Sequence, residues 1–158
     1  MTPAITAVQI IDFEPEHTAA FRELNEEWIT RYFELEEADL KSLNDPQGYI
    51  LSKGGFILMA LYKGKPVGTC ALLKEENGVF ELAKMAVTEK ARGLKIGLAL
   101  GEAALAKARL TGASKVYLVS NRQLLPALQL YQKLGFKEVP LPPSIYKRAD
   151  IKMEIPLS

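Results

Sequence analysis

The sequence is short of the residues that build metal and disulfide sites: among 158 residues there is one cysteine, Cys70, and one histidine, His17. A lone cysteine excludes an internal disulfide, and one histidine beside it leaves no cysteine- and histidine-rich metal set. Nor do the two suggest a nucleophile and its base. Cys70 lies in the apolar run "VGTCALL", which reads as packing, and His17 opens a helical stretch as a surface or capping residue. Net charge is only +1, so no overall field draws the chain to nucleic acid or to a membrane surface. No apolar run approaches membrane-spanning length and no basic-then-apolar leader opens the chain. With a single thiol that fits a reducing compartment, these absences point to the cytoplasm.

What is present is ordinary for a globular protein: 48% hydrophobic and 25% charged residues in a length suited to one domain, residues 1–158. Val8 to Phe13 reads as a strand. Glu16 to about Phe33 reads as a helix, with Phe21, Leu24, Trp28 and Ile29 at helical spacing. A shorter helix covers Glu36 to Leu43 and is ended by "NDPQG". Three strands, Phe56 to Tyr62, Pro66 to Lys74 and Val79 to Val87, are joined by "KGK" and "ENG" turns into an antiparallel meander. A helix over Gly97 to Thr111 follows, then a buried-type strand, Lys115 to Ser120. A last helix opens near Pro126 and stops at Gly135, before strands around Phe136 to Val139 and Ile151 to Ile155. With no repeat or linker, this is one α+β domain.

The stretch "VTEKARGLKIGLALGEAAL" places two glycines, Arg92 and two lysines at the mouth of an apolar helix. Helix N-termini expose unpaired amides and partial positive charge, so a phosphate fits there. Glycine admits close backbone approach, and Arg92 and Lys95 add charge-assisted contacts. The stretch lacks the Gly-Lys-Ser/Thr ending of a P-loop. It also lacks the three-glycine dinucleotide fingerprint and its βαβ setting.

Arg92-Gly93-Leu94-Lys95-Ile96-Gly97 resembles the acetyl-CoA loop of the GNAT superfamily of N-acetyltransferases, whose pattern is Gln/Arg-x-x-Gly-x-Gly/Ala. Lys95 stands where the first glycine of that pattern usually sits. "AKMAV" before it resembles the family's fourth strand, and "SNRQLLPALQLYQKLGF" the second half of its site. The order of elements agrees along nearly the whole chain. The resemblance implies a central mixed, mostly antiparallel sheet of about seven strands flanked by about four helices, and acetyl-CoA as cosubstrate with no metal.

It also implies roles. Arg92, Gly93, Leu94, Lys95, Ile96, Gly97 and Leu98 would hold the pyrophosphate of coenzyme A. Met85, Ala86 and Val87 would pair with the pantetheine arm as with an added strand, and an amide of Met85 or Ala86 would polarise the thioester. Asn121 matches a position that contacts the arm, with a turn role as the alternative. Acetyl transfer needs a neutral amine, although a lysine-type amine has a pKa of about 10.4, and the leaving thiolate gains from a proton. Glu81 falls where some members carry the base, and strict alternation puts it with Val79, Ala83 and Met85 on one face; an edge-facing charge is the alternative. Lys84 should face the other way unless a bulge intervenes. Tyr131 matches the tyrosine beside the thioester sulfur and is the candidate acid; a packing tyrosine is the alternative.

The acceptor is less constrained. Glu23, Glu26, Glu27, Glu34, Glu36, Glu37 and Asp39 make an acidic N-terminal region: either a surface for a cationic amine or a solvated helix face. Trp28 and Tyr32 read as core or groove wall, and Tyr146 and Arg148 as contacts for an acceptor carboxylate. The partner expected is a small-molecule or peptide amine, not nucleic acid or a membrane; family members often dimerise, so a homodimer is admitted. The competing function is a module on the same fold that holds acyl-CoA without turnover.

Overall fold

A computed structural model describes residues 8–91, 93–143 and 147–157. Its strands are β1 (Val8–Asp12), β2 (Phe56–Tyr62), β3 (Lys65–Lys74), β4 (Val79–Val87), β5 (Lys115–Ser120), β6 (Lys137–Val139) and β7 (Ile151–Pro156). They form one seven-stranded sheet in the order β1-β2-β3-β4-β5-β7-β6. Every neighbouring pair is antiparallel except β4 and β5. The helices are α1 (Thr18–Tyr32), α2 (Glu37–Asn44), α3 (Pro46–Tyr49), α4 (Ile96–Leu110) and α5 (Leu125–Leu134). None is long and apolar enough to cross a membrane.

The expected count of about four helices becomes five because "NDPQG" does more than stop α2. The Asp45 side chain accepts from the Gly48 amide at 3.0 Å, and Pro46 occupies a first-turn position whose N–H would have no helical partner anyway. A one-turn helix, α3, starts there. His17 also acts as a cap: its Nδ1 accepts from the Glu14 amide at 2.9 Å.

Each face of the sheet buries its own core. On one side Ile96, Leu100, Ala104 and Ala108 run down α4 at helical spacing and pack with Leu58, Cys70, Leu72, Leu82 and Leu118. Ala99 and Ala103 flank this stripe half-buried. On the other side Phe21 and Leu24 of α1 and Leu43 of α2 pack on Ile57, Met59, Ala71 and Ala86. Each of the Leu, Ile, Met and Phe side chains among these contributes on the order of 1.5–3 kcal/mol by leaving water. Cys70 is buried, and burial pushes its thiol up to about 12. That suits packing and opposes a role as nucleophile.

Two departures from regular pairing make the site. The parallel pairing of β4 with β5 runs from Val79↔Lys115 to Glu81↔Tyr117 and goes no further. Past that point the strands part. In the same stretch Thr69 faces Ala86 and Ala71 faces Ala83, so Lys84 and Met85 together oppose Cys70. This is a β-bulge, with Lys84 in the left-handed region at φ 56°.

Candidate active site

A cleft of about 530 Å³ opens where β4 and β5 diverge. Ala83 to Val87 form one wall, and α5 with the end of β5 the other. The bulge corrects the alternation expected for β4. Val79, Glu81 and Ala83 share a face, but Met85 does not join them: it packs on the α4 side, while Ala86 is buried against α1 and α2. The extra residue reverses the parity, so Lys84, Met85 and Ala86 are re-aimed around the mouth of the cleft.

The start of α4 sits at one end of that cleft. Gly93, with φ 87°, and Gly97 line it. Lys95 precedes the first helical residue at φ 57° and ψ 34°, and its side chain caps nothing. This position therefore demands left-handed backbone, the conformation glycine adopts most easily. Gly97 has a packing reason as well: a Cβ there would meet Leu130 Cδ2 at 2.9 Å, so its absence lets α5 approach. Leu94, Lys95, Ile96 and Leu98 do not line the cleft. Leu94 and Lys95 are exposed, and the Ile96 side chain is core. What Ile96, Gly97 and Leu98 offer is first-turn amides, which have no acceptor within a helix. Arg92 lies outside the described residues.

Glu81 and Tyr131 face the same cleft from opposite walls. Burial first, and then the charge of Glu75, push the Glu81 carboxyl up to about 7; the hydrogen bond from Tyr117 and the charges of Lys84 and Lys152 oppose this. A carboxylate poised near neutrality is suited to taking a proton from an amine. Tyr131 is buried, with its ring edge-on to Phe136 at 6.1 Å between centroids. Burial, then Cys70, raise its phenol above the ordinary tyrosine range, so it stays protonated and able to donate.

Trp28, Tyr32 and Arg148 line the other end. Arg148 stacks over the Trp28 ring at 5.7 Å and forks onto Asp39, donating Nη1 to Oδ2 at 2.8 Å and Nη2 to Oδ1 at 2.7 Å. Lys84 Nζ reaches the same Oδ1 at 2.9 Å, and the Asp39 and Lys84 side chains are 0% and 4% exposed. Asp39 is therefore no part of a solvated helix face. Burial alone would raise its carboxyl, but the Arg148 hydrogen bond, the Lys84 charge and the Glu36 amide hold it at about 2. Glu36 accepts from the Lys147 amide at 3.0 Å and pairs with Arg148, fixing the chain before β7 against α2. Asn121 lines the cleft, but its amide is spent on a turn: Nδ2 donates to the Arg148 carbonyl at 2.6 Å and Oδ1 accepts from the Gln123 amide at 2.8 Å. Tyr146 lies outside the described residues.

Sequence reasoning missed Tyr117, whose hydroxyl lies 3.3 Å from Glu81 Oε1. It also missed the ion cluster around Asp39. A faint signal existed for each: a tyrosine in the otherwise aliphatic "KVYLVS", and Glu36 with Asp39 at capping-box spacing, which they occupy.

The family model described as Acetyltransferase (GNAT) family matches residues 15–136. The chain belongs to that family. The GNAT fold is seen again in a GNAT acetyltransferase from Staphylococcus aureus Mu50, at TM-score 0.87 and 22% identity over 96% of this chain and 100% of that one. A phosphinothricin acetyltransferase from Sinorhizobium meliloti, solved in complex with AcCoA, aligns at TM-score 0.78 and 18% identity over 96% and 89% of the two chains. The N-acetylaspartate synthetase of Xenopus tropicalis is 37% identical over 94 residues, which are 59% of this chain and 35% of that protein. The chain thus spans about a third of the length of the curated relatives it matches.

Proposed function

We propose that this GNAT protein is an acetyl-CoA-dependent N-acetyltransferase acting on a primary amine by direct attack, with both substrates bound together. The observation that carries the reading is the pairing of Glu81, with its raised carboxyl, and Tyr131, a protonated phenol, across one cleft. A module that only held acyl-CoA would need neither.

The residues present fit the cosubstrate. The β4 segment facing the cleft is not paired with β5, so that edge is placed to take an extended amide-containing arm as an added strand. At the end of this edge stand Gly93 and the first turn of α4, suited to a pyrophosphate. Ala86, Val87, Ala127 and Leu130 supply apolar wall between them. When bound, acetyl-CoA supplies an activated acyl group on a thiol of ordinary basicity.

The chain's own groups do the rest. Glu81 takes the proton that leaves the ammonium of the acceptor, so the nitrogen lone pair becomes available. The amide of Met85 or Ala86 donates to the carbonyl oxygen as charge develops there. Tyr131 gives a proton to the departing sulfur and regains one as the acylated nitrogen sheds its second proton. Arg148, held by Asp39, shapes the acceptor end. Aspartate is the acceptor to try first: the relatives are N-acetylaspartate synthetases, and the Arg148 guanidinium is on the cleft wall.

Calorimetric titration with acetyl-CoA, ATP and NAD tests the first half. Micromolar binding of acetyl-CoA alone is expected; no binding would overturn the reading. Thiol release from acetyl-CoA is then followed with L-aspartate, other L-amino acids, spermidine and a lysine-containing peptide. Binding with no acetylated amine from any of them would favour the holding module.

A further inference from the structure

The charged side chains of the cleft set a sign for its acceptor end. Among the described residues that line it, they are Glu81, Lys84 and Arg148. None of the acidic residues from Glu23 to Asp39 lines it, so beyond Glu81 no carboxylate is placed to hold a positive charge on the acceptor. Asp39 balances Lys84 and Arg148 from a position 0% exposed. Glu36, 3.4 Å from Arg148, lies off the cleft as well. The cleft therefore meets the cations and not their counter-ions.

Arg148 is held in place by more than its ion pair. Its guanidinium forks onto Asp39 at 2.7 and 2.8 Å and lies 5.7 Å over the centroid of the Trp28 ring. Trp28 is itself held. Its Nε1 donates to Asn25 Oδ1 at 3.4 Å, and Asn25 Nδ2 donates to the Phe21 carbonyl at 3.0 Å. Asn25 is fully buried inside α1, beside Phe21 and Leu24. An asparagine is a poor residue for a helix interior, and a leucine of nearly the same shape would bury more apolar surface there. What the amide adds is a fixed indole, and through it a fixed guanidinium.

We infer that Arg148 is the clamp for a carboxylate carried by the acceptor, and that Asn25, acting through Trp28, is a positioning residue for that clamp. A guanidinium carries five N–H donors in a planar fork, so one that holds Asp39 can receive a second carboxylate as well. The charge of Lys84 on the same wall adds to the attraction. The acceptor class is then an amine that bears a carboxylate, such as an amino acid, and not a polyamine or the side chain of a lysine in a peptide. This deepens the proposed function and rests on it for the bound amine being the acceptor.

The test compares L-aspartate with its diamide, and the other L-amino acids with their carboxamides. The amide's amine is the less basic, so a preference for the acid cannot come from easier loss of its proton. The clamp predicts kcat/KM about 10- to 100-fold higher for the acid, a ratio that falls toward one in Arg148→Met. Equal values in the wild type, or an unchanged ratio in the variant, overturn it. Asn25→Leu should raise KM for the acid about 2- to 10-fold, with kcat less affected and the melting midpoint equal or higher. In a Trp28→Phe background, which lacks the indole N–H, it should add nothing further. An unchanged KM overturns the positioning role. Trp28 is the only tryptophan of the chain, so its emission reads the site without turnover. With coenzyme A present, the acids should change that emission saturably and their amides should not. Wild-type protein alone decides this comparison, should Arg148→Met fail to fold. Emission unmoved by every acid sinks the clamp, even where some other amine is acetylated. A saturable response to acids with no acetyl transfer supports the clamp and fails the proposed function instead.

Discussion

Two carboxylates, Asp39 on α2 and Glu81 on β4, are both withdrawn from water on the same side of the sheet, and burial leaves them in opposite states. Asp39 is held at about 2 and Glu81 is raised to about 7. Burial pushes both upward; their partners decide the outcome. Asp39 meets two cations, Arg148 and Lys84. Glu81 meets a second carboxylate, Glu75, and a neutral phenol. One corner is an anchor that joins α2, the β4 bulge and the chain before β7. The other has been left able to exchange a proton near neutral pH. The same physical chemistry yields a strut or a group poised to exchange a proton, depending on the sign of the neighbours.

The sharpest way to break this contrast is to neutralise each carboxylate. Glu81→Gln should lower turnover by about 10²- to 10⁴-fold while leaving the fold intact. It should also remove a pH dependence of stability. The native Glu81 binds its proton more tightly than the unfolded chain does, so stability falls as pH rises from 4.5 through about 7. Melting curves of wild type and variant should therefore converge at low pH and separate in that window, with the wild type the less stable. Equal turnover, or parallel curves, would put Glu81 among the structural charges.

Asp39→Ala should do the reverse. Removing the shared anion takes from Lys84 and Arg148 the buried carboxylate between them, at a cost of about 3–5 kcal/mol. Urea unfolding would read it as a lower midpoint at similar slope. A loss under 1 kcal/mol would mean that the cluster is a bystander. Acid titration offers a milder version. The folded Asp39 carboxyl lies below its unfolded value of 3.8, so its contribution is complete above that pH and is lost as pH falls through about 2. The full effect is about 2 kcal/mol. It should be absent in Asp39→Asn, which lacks the titrating group.

The contrast also explains what was legible in the sequence. Glu81 and Tyr131 were readable because the resemblance to the GNAT strand and helix segments pointed to them, and the glycines of α4 because a glycine-bearing loop before an apolar helix is a local signal. The strands along the chain followed from local periodicity, and their gathering into one mixed sheet from the resemblance. Asp39 and Arg148 were readable only as an acidic helix residue and a basic loop residue, because what defines them is a fork between α2 and the chain before β7. Tyr117 reaches Glu81 only through the register of a parallel pair, which no local period encodes. Lys84 hid for another reason. A lysine in a strand normally points to water, and only the bulge turns it inward to Asp39.

That leaves two lysines with nearly the same left-handed backbone, Lys84 at φ 56° and Lys95 at φ 57°, and they extend the comparison from anions to cations. Left-handed backbone costs a non-glycine residue about 1–2 kcal/mol. At Lys84 the buried pair with Asp39 offsets that strain, so Lys84→Gly should destabilise the fold despite the easier backbone. At Lys95 the side chain is exposed and caps nothing, so Lys95→Gly should raise stability, by about 0.5–1 kcal/mol once the greater freedom of glycine in the unfolded chain is subtracted. The same variant tests what the lysine is for. If its charge contributes to phosphate binding, the more stable protein will hold acetyl-CoA more weakly, and the loss will shrink as salt is added. If affinity is unchanged, the position serves only to turn the chain into α4, and the glycine usual in the family is there for the backbone alone.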